Sequence, residues 1–116
     1  MAAEKVGVAA RLVAKPERRG ELVEALRGLV EAAREEAGTE LYLLHEAAGD
    51  DDTVWVYELY ADQDALSAHS SSEAMKVVGA RLADILAGPP ELILLRPVDA
   101  KGARLQIAGA SGHPPG

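Results

Sequence analysis

The sequence predicts one α+β domain, in which two long helices cover one face of a four-stranded antiparallel sheet. Two segments repeat apolar residues at every third or fourth position, which is the spacing of an amphipathic helix. Four shorter segments have the composition of strands, and the predicted order is strand, helix, strand, strand, helix, strand. With 116 residues, of which 48% are hydrophobic, the chain can bury one compact core and little more.

Lys15-Pro16 separates the first strand from the first helix. A strand is expected over residues 6–14, and Pro16 suits the position just ahead of a helix. The helix is predicted over residues 17–37, and Gly38 would end it as a left-handed cap. The residues that share its buried side are Leu22, Leu26, Leu29 and Ala33.

A β-hairpin and a short helix are expected next. Strands over residues 39–47 and 53–60 flank the run Gly49-Asp-Asp-Asp52, whose composition is typical of a hairpin loop. Asp62 is placed to cap a short helix that ends at His69.

The second long helix begins after Ser70-Ser-Ser72, which offers further caps. Gly88-Pro-Pro90 ends this helix, and residues 92–96 form the last predicted strand. Its expected buried stripe consists of Met75, Val78, Leu82 and Ile85.

Apolar residues lie on both faces of the predicted strands, although two helices can cover only one face. An antiparallel sheet with one solvated face should alternate apolar and polar residues, yet residues 92–95 are apolar on both sides. A monomer would expose a larger apolar patch than monomers tolerate. Packing of two sheets against each other would cover it, which predicts a homodimer. The second face carries Val13, Leu41, Leu43, Trp55, Tyr57 and Leu59, and we assign Trp55 to this interface.

The composition disfavours several partners and chemistries. The formal net charge is −7, so the basic surface that nucleic acid requires is not expected. The chain has no cysteine, which excludes disulfides, thiolate zinc sites and cysteine nucleophiles. No apolar stretch approaches bilayer length, and the N-terminus lacks the apolar core of a signal peptide. We therefore expect a cytoplasmic protein that does not contact membranes.

The stretch from Val54 to Tyr60 is the most informative one for function. It contains three of the four aromatic residues of the chain, with Glu58 among them and His69 shortly after. Glu58 and Tyr60 share one strand face, whereas Trp55 lies on the other. An aromatic wall with a few polar groups is what a pocket for a flat organic molecule requires.

Together with Glu36-Ala-Gly-Thr-Glu-Leu-Tyr42, this stretch resembles the antibiotic biosynthesis monooxygenase family. That family usually has Glu-Pro-Gly, an aromatic residue in the next strand, then Tyr-Glu-Arg-Trp, and then Ala-x-x-x-His. This chain has Ala37 in place of the proline, and Leu59 and Tyr60 in place of the arginine and tryptophan. The resemblance covers residues 6–97.

The resemblance implies a ferredoxin-like βαββαβ fold over residues 1–97, which would pair into a dimeric α+β barrel. It also implies a monooxygenase that needs no cofactor and oxidises a quinol-like or aromatic polyketide molecule with O2. Residues 98–116 would form a C-terminal extension. Within it, residues 103–107 either add a strand across the partner's sheet edge or are disordered, and a mobile tail is expected over 111–116.

His69 is the candidate catalytic base. A neutral imidazole can take a proton from a phenol or an activated carbon near neutral pH, and the family commonly has a histidine at this position beside its pocket. His69 could equally be a core histidine that is hydrogen-bonded to the backbone or to Glu58. Tyr42, Tyr60 and Arg96 are the candidate groups that orient substrate oxygens.

Glu58 lies in an otherwise apolar strand, so we expect its carboxylate to be half-buried and partnered. It could orient His69 or bind a substrate hydroxyl. It could also form a structural ion pair with Arg11 or Arg96.

Other functions remain compatible with the sequence. The fold also occurs in dimers that bind small molecules without turnover, and an isomerase would need the same base. Haem-degrading relatives carry an asparagine in the first strand and a histidine in the second long helix, where this chain has Ala10 and Gly79, so haem degradation is disfavoured. The three histidines are far apart, and no glycine-rich loop follows a strand, so neither a metal nor a dinucleotide site is expected.

Overall fold

A computed structural model describes residues 4–102, which form a four-stranded antiparallel sheet with three helices on one face. The predicted order of elements and the ferredoxin-like fold are confirmed. The expectations for residues 103–107 and 111–116 lie outside the described residues. The elements are β1 (Val6–Val13), α1 (Arg19–Arg34), β2 (Thr39–Glu46), β3 (Thr53–Tyr60), α2 (Gln63–Ser70), α3 (Glu73–Ile85) and β4 (Glu91–Leu95).

The strands are arranged in the order β2-β3-β1-β4, so β1 and β3 are central and β2 and β4 are edges. Tyr42 of β2 pairs with Glu58 of β3, which in turn pairs with Val8 of β1. A register shift between Thr39 and Leu41 marks an irregularity at the start of β2. Because Thr39 pairs with Tyr60 across this shift, Thr39 and Tyr42 both lie on the face that the helices cover.

The hydrophobic core lies between this face and the helices. Residues of β1 and β3 form the sheet side of the core, and residues of α1 and α3 form its helical side. The buried residues of the two helices agree with the apolar stripes predicted from the sequence. Met75, which was predicted to be buried, is only partly so and packs at the edge of the core. The buried cluster consists of Ala10, Leu12, Ala14, Leu22, Ala25, Leu26, Leu29, Val54, Val56, Val78, Leu82 and Ile85.

The predicted caps of the two later helices are confirmed. The side chain of Asp62 accepts a hydrogen bond from the backbone N–H of Ala65 at 2.8 Å, and Ser72 accepts one from Met75 at 3.2 Å. The first helix is shorter than predicted at both ends, since α1 begins at Arg19 and ends at Arg34. Glu17 has a φ of 68°, which is a left-handed conformation that no α-helix contains.

Gly38 is not the left-handed cap that the sequence predicted. Among the described glycines only Gly102 has a positive φ. Gly38 instead allows the chain to approach α2 closely, because a Cβ at this position would lie 2.5 Å from the Cβ of Ala65. The carbonyl of Gly38 also accepts a 2.9 Å hydrogen bond from the N–H of Ala61. The glycine thus lets α2 pack directly on the turn before β2.

The second face of the sheet carries no helix and is rich in apolar side chains. Trp55 and Leu43 are 37% and 46% exposed there, and Ile93 and Leu95 of β4 are exposed on the same face, across β1. We call this surface the open face. Trp55 lies on it, as predicted. No helix within residues 4–102 has the length and hydropathy to cross a bilayer.

We predict that Gly38→Ala lowers the free energy of unfolding by about 1–3 kcal/mol, because the new methyl group overlaps Ala65. Gly79→Ala is the matched control, since Gly79 lies in α3 and a Cβ there would meet no neighbouring element within 4 Å. Removing a helical glycine there should raise stability by about 0.5–1 kcal/mol. Urea unfolding at neutral pH measures both, and equal stability of the two variants would contradict the packing role of Gly38.

Candidate functional site

His69 lies in the last turn of α2 and is the one buried side chain of that helix. It is 4% exposed. The Asp62 cap and the Gly38 contact hold α2 against the sheet, so the imidazole is directed toward β2 and β3. The site is built around this ring.

Glu36 determines the tautomer of the neutral His69 ring. Glu36 Oε1 lies 2.9 Å from His69 Nδ1 and also accepts a 2.7 Å hydrogen bond from Thr39 Oγ1. A carboxylate can only accept hydrogen bonds, so the neutral imidazole carries its proton on Nδ1. Nε2 then has a free lone pair, and it makes no hydrogen bond to any residue within 4–102. This arrangement suits a general base.

Two tyrosines flank the imidazole. The ring centroids of Tyr42 and Tyr60 lie 5.3 Å and 5.4 Å from that of His69, with tilted planes. The register of β2 and β3 produces this arrangement, since Tyr42 pairs with Glu58 and Tyr60 lies two residues further along the same face. The structure therefore brings His69, Tyr42, Glu58 and Tyr60 together.

Glu58 is buried beside these rings and accepts a hydrogen bond from the Tyr60 hydroxyl. Burial raises the pKa of Glu58, while the Tyr60 hydrogen bond and the nearby His69 act in the opposite direction. Burial is also the main reason why the pKa values of Tyr42 and Tyr60 are raised, and the charge of Glu58 adds to both effects. Both phenols therefore stay protonated and can donate hydrogen bonds at neutral pH.

Two sequence-based expectations about partners are wrong. The side-chain partner of His69 is Glu36 and not Glu58. Arg11 is not the partner of Glu58 either, because Arg11 lies on the open face and pairs with Glu91 at 3.2 Å. The sequence reasoning missed Glu36 as the partner of His69. Glu36 belongs to the Glu-x-Gly motif, and its carboxylate was the signal that could have identified it.

Arg96 is not brought to the site by the described contacts. It follows the end of β4, is exposed, and takes part in no side-chain hydrogen bond or ion pair among residues 4–102. In the register of the sheet it lies beside Val6, which is paired with Tyr60. Two strand spacings of about 4.8 Å separate its backbone from β3. Its role in binding substrate stays a prediction.

A cleft of about 370 Å³ lies between α1 and the edge strand β2. Tyr42 is the one site residue that lines it; His69, Glu58 and Tyr60 do not. Tyr42 is therefore the residue that the cleft shares with the cluster around the imidazole. The other lining residues are Val23, Arg27, Val30, Glu31, Arg34, Leu43, Leu44 and Glu46.

The histidines do not converge on one point. His45 lies on the open face, where its Nδ1 is 3.2 Å from the carbonyl of Trp55, whereas His69 lies on the helical face. In the part of the chain that the structure describes, no three His, Asp or Glu side chains are grouped in a way that could hold a metal ion.

Comparison with known proteins shows which family the chain belongs to. The model of the antibiotic biosynthesis monooxygenase family matches residues 5–81. The chain therefore belongs to this family, as the motifs around Glu36 and Glu58 indicated. No curated protein matches the chain significantly.

Solved structures support the assignment. Rv0793 from Mycobacterium tuberculosis is 29% identical with a TM-score of 0.77, and the match covers 83% of this chain and 97% of that one. A Caulobacter crescentus protein, provisionally named an antibiotic biosynthesis monooxygenase, is 28% identical with a TM-score of 0.79 over 84% and 92% of the two chains. PA3566 from Pseudomonas aeruginosa shares the fold at 24% identity, with a TM-score of 0.78 over 85% and 99%.

We predict that Glu58→Gln changes how stability depends on pH. The folded-state pKa of Glu58 is raised, so its favourable contribution is present at acid pH and is lost as the pH rises through the folded-state pKa. A glutamine at position 58 does not ionise, so the variant does not lose stability in this way as the pH rises. The stability of the variant relative to the natural protein should therefore increase from about pH 4 to pH 8. Urea unfolding at both pH values tests this, and a difference that is independent of pH would show that Glu58 titrates normally.

Proposed function

We propose that this protein is a cofactor-independent monooxygenase that oxidises a quinol-like or aromatic polyketide molecule with O2. Family membership supports the reaction class. The observation that carries the proposal is the Glu36–His69 pair, which leaves Nε2 of a buried imidazole free between two tyrosines. An apolar enclosure with one base suits a substrate that reacts with oxygen once it is deprotonated.

The substrate supplies all the electrons in this reaction. Nε2 of His69 removes a proton from a phenol or an anthrone carbon, and the delocalised anion transfers one electron to O2. The resulting radical and superoxide combine to form a C–O bond, which gives a peroxide anion that takes up the proton. The carbon then loses its remaining C–H proton as the O–O bond breaks, which leaves one oxygen atom on the substrate, as a carbonyl in the anthrone case. The other oxygen leaves as hydroxide and takes up that proton to give water.

The tyrosines would orient and stabilise the anion. The Tyr42 hydroxyl makes no hydrogen bond to another described residue, so it is the better placed donor for a substrate oxygen. Tyr60 donates to Glu58 and would contribute mainly through its ring, with Glu58 accepting a hydrogen bond from a substrate hydroxyl. Arg96 would meet a substrate only at the rim, because it lies beyond β4.

Access to Nε2 requires movement. The His69 side chain is 4% exposed, and Tyr42, whose ring centroid is 5.3 Å from that of His69, lines the cleft along α1. Rotation of the Tyr42 ring would open this cleft toward the imidazole. Displacement of α2 would also open the site, and this helix buries only one side chain against the rest of the fold.

The closed site gives specific support to a second function. A histidine that is buried and hydrogen-bonded to Glu36 could have a structural role, in a dimer that binds a small molecule without turnover. An isomerase would use the same base without oxygen. Haem degradation is less compatible, because Ala10 is part of the buried core and Gly79 is exposed on α3 and offers no ligand.

We predict that His69→Ala abolishes catalysed oxygen uptake with menadiol or an anthrone, leaving the rate in buffer alone. His45→Ala is the matched control, because His45 is exposed on the open face, and it should keep the natural rate. An oxygen electrode measures both, with circular dichroism to verify folding. Equal rates for the natural protein, His69→Ala and buffer would leave the binding function as the better explanation.

We also propose that two copies pack their open faces together. Exposed apolar side chains of β2 and β3 lie on this face, as do those of β4 on the far side of β1, and burial of such a surface favours association. The candidate site lies on the opposite, helical face, so each copy would retain its own site.

We predict that Leu43→Asp combined with Trp55→Asp yields a monomer, because the interface would then bury two unpaired carboxylates. Val77→Asp is the control, since Val77 is 57% exposed on α3, away from the open face. Light scattering at micromolar concentration should give a dimer for the control and for the natural chain. A monomeric natural chain would contradict the proposed dimer.

A further inference from the structure

The cleft between α1 and β2 contains two arginines that the proposed mechanism does not use. Arg27 and Arg34 line it together with Val23 and Val30 of the same helix. Each of these four residues directly follows a core position of α1, so they form a second stripe beside the buried one. We call this space the α1–β2 cleft.

Both arginines have hydrogen-bond donors to spare. Arg27 Nε lies 3.1 Å from Glu24 Oε1, and Arg34 Nε lies 3.6 Å from Glu31 Oε1. The terminal Nη groups of the two side chains make no hydrogen bond to any residue within 4–102. A guanidinium presents these groups as a planar fork that matches a carboxylate. A ligand carboxylate can therefore bind both arginines while each keeps its glutamate.

The charges around the cleft favour one carboxylate over a phosphate group. Glu46 lines the cleft and is paired with Arg19 at 3.3 Å. Glu31 also lines it and lies beside Arg34. Two carboxylates near the ligand would repel a dianion strongly, whereas a single negative charge can be balanced by the two guanidinium groups.

The rest of the lining suits an aromatic ring. Val23, Val30 and Leu44 are half-buried and present aliphatic surface. The volume of about 370 Å³ lies within the range of about 300–1,000 Å³ that small-molecule sites occupy. Tyr42 belongs to this lining, and its ring centroid is 5.3 Å from that of His69. A ligand in the cleft therefore contacts a residue that flanks the proposed base.

We propose that the α1–β2 cleft binds the carboxylate of the substrate through Arg27 and Arg34. The substrate class thereby narrows to aromatic carboxylic acids whose phenol or anthrone ring is directed toward His69. This inference rests on the proposed function, but binding of the carboxylate can be measured without turnover.

Anthracene carboxylic acid and its neutral analogue anthracenemethanol test the binding step. The natural protein should bind the acid about tenfold or more tightly than the alcohol, because only the acid forms charged hydrogen bonds with the arginines. The double variant Arg27→Gln with Arg34→Gln should lose this preference. Arg81→Gln is the matched control, since Arg81 is exposed on α3, and it should keep the preference. Titration of the anthracene fluorescence measures all four affinities, and circular dichroism verifies folding.

Three results of this titration would overturn the inference. Equal affinity of the natural protein for the acid and the alcohol would show that the cleft does not recognise a carboxylate. Unchanged affinity of the double variant for the acid would show that the acid binds elsewhere. The same loss in Arg81→Gln would show a general effect of protein charge.

Oxygen uptake separates a failure of this inference from a failure of the proposed function. The double variant should raise the KM for an anthrone carboxylic acid about tenfold without changing kcat, and should leave the KM for anthrone unchanged. Binding of the acid that depends on both arginines, without any oxygen uptake, supports the carboxylate site and contradicts only the proposed oxidation. Oxygen uptake with no difference between the acid and anthrone contradicts only the carboxylate site.

Discussion

The hydrogen bond between Glu36 and His69 is the interaction on which the candidate site depends. It joins the turn after α1 to the last turn of α2, and His69 is the one side chain that α2 buries. Because the carboxylate can only accept, the bond also determines which imidazole nitrogen is free. This contact therefore ties α2 to the turn after α1 and determines the tautomer of the neutral imidazole. Thr39 supports it by donating to the same carboxylate oxygen.

The two faces of the sheet differ in what they contain and in the role that we propose for each. The helical face contains the core and, beside it, the cluster of His69, Tyr42, Glu58 and Tyr60. The open face is rich in exposed apolar side chains and is the surface that we propose binds a second copy. Since these faces do not overlap, association can bury the open face without filling the site. The edge at β4 belongs to neither arrangement, because its side chains are exposed on both sides.

Local patterns predicted most of the fold. The hairpin, the Asp62 and Ser72 caps and the faces of the strands were predictable because each depends on residues that are near in sequence. The partner of His69 was not, because Glu36 lies 33 residues away and reaches it only through the turn before β2. The alternation of side chains along β3 indicated that Glu58 lies on the same sheet face as Tyr60. Alternation alone does not decide whether Glu58 or Glu36 binds His69.

The sequence by itself determined which residues form helices and strands, which faces are apolar and which aromatic residues line the candidate site. The tertiary structure decided which groups meet. It placed the chain at Gly38 against Ala65, shifted the register of β2 so that Thr39 faces the helices, and left β4 beyond the reach of α3. Periodicity is a property of the local backbone and can be read along the chain, whereas contacts between distant elements depend on how the sheet registers and the helices pack.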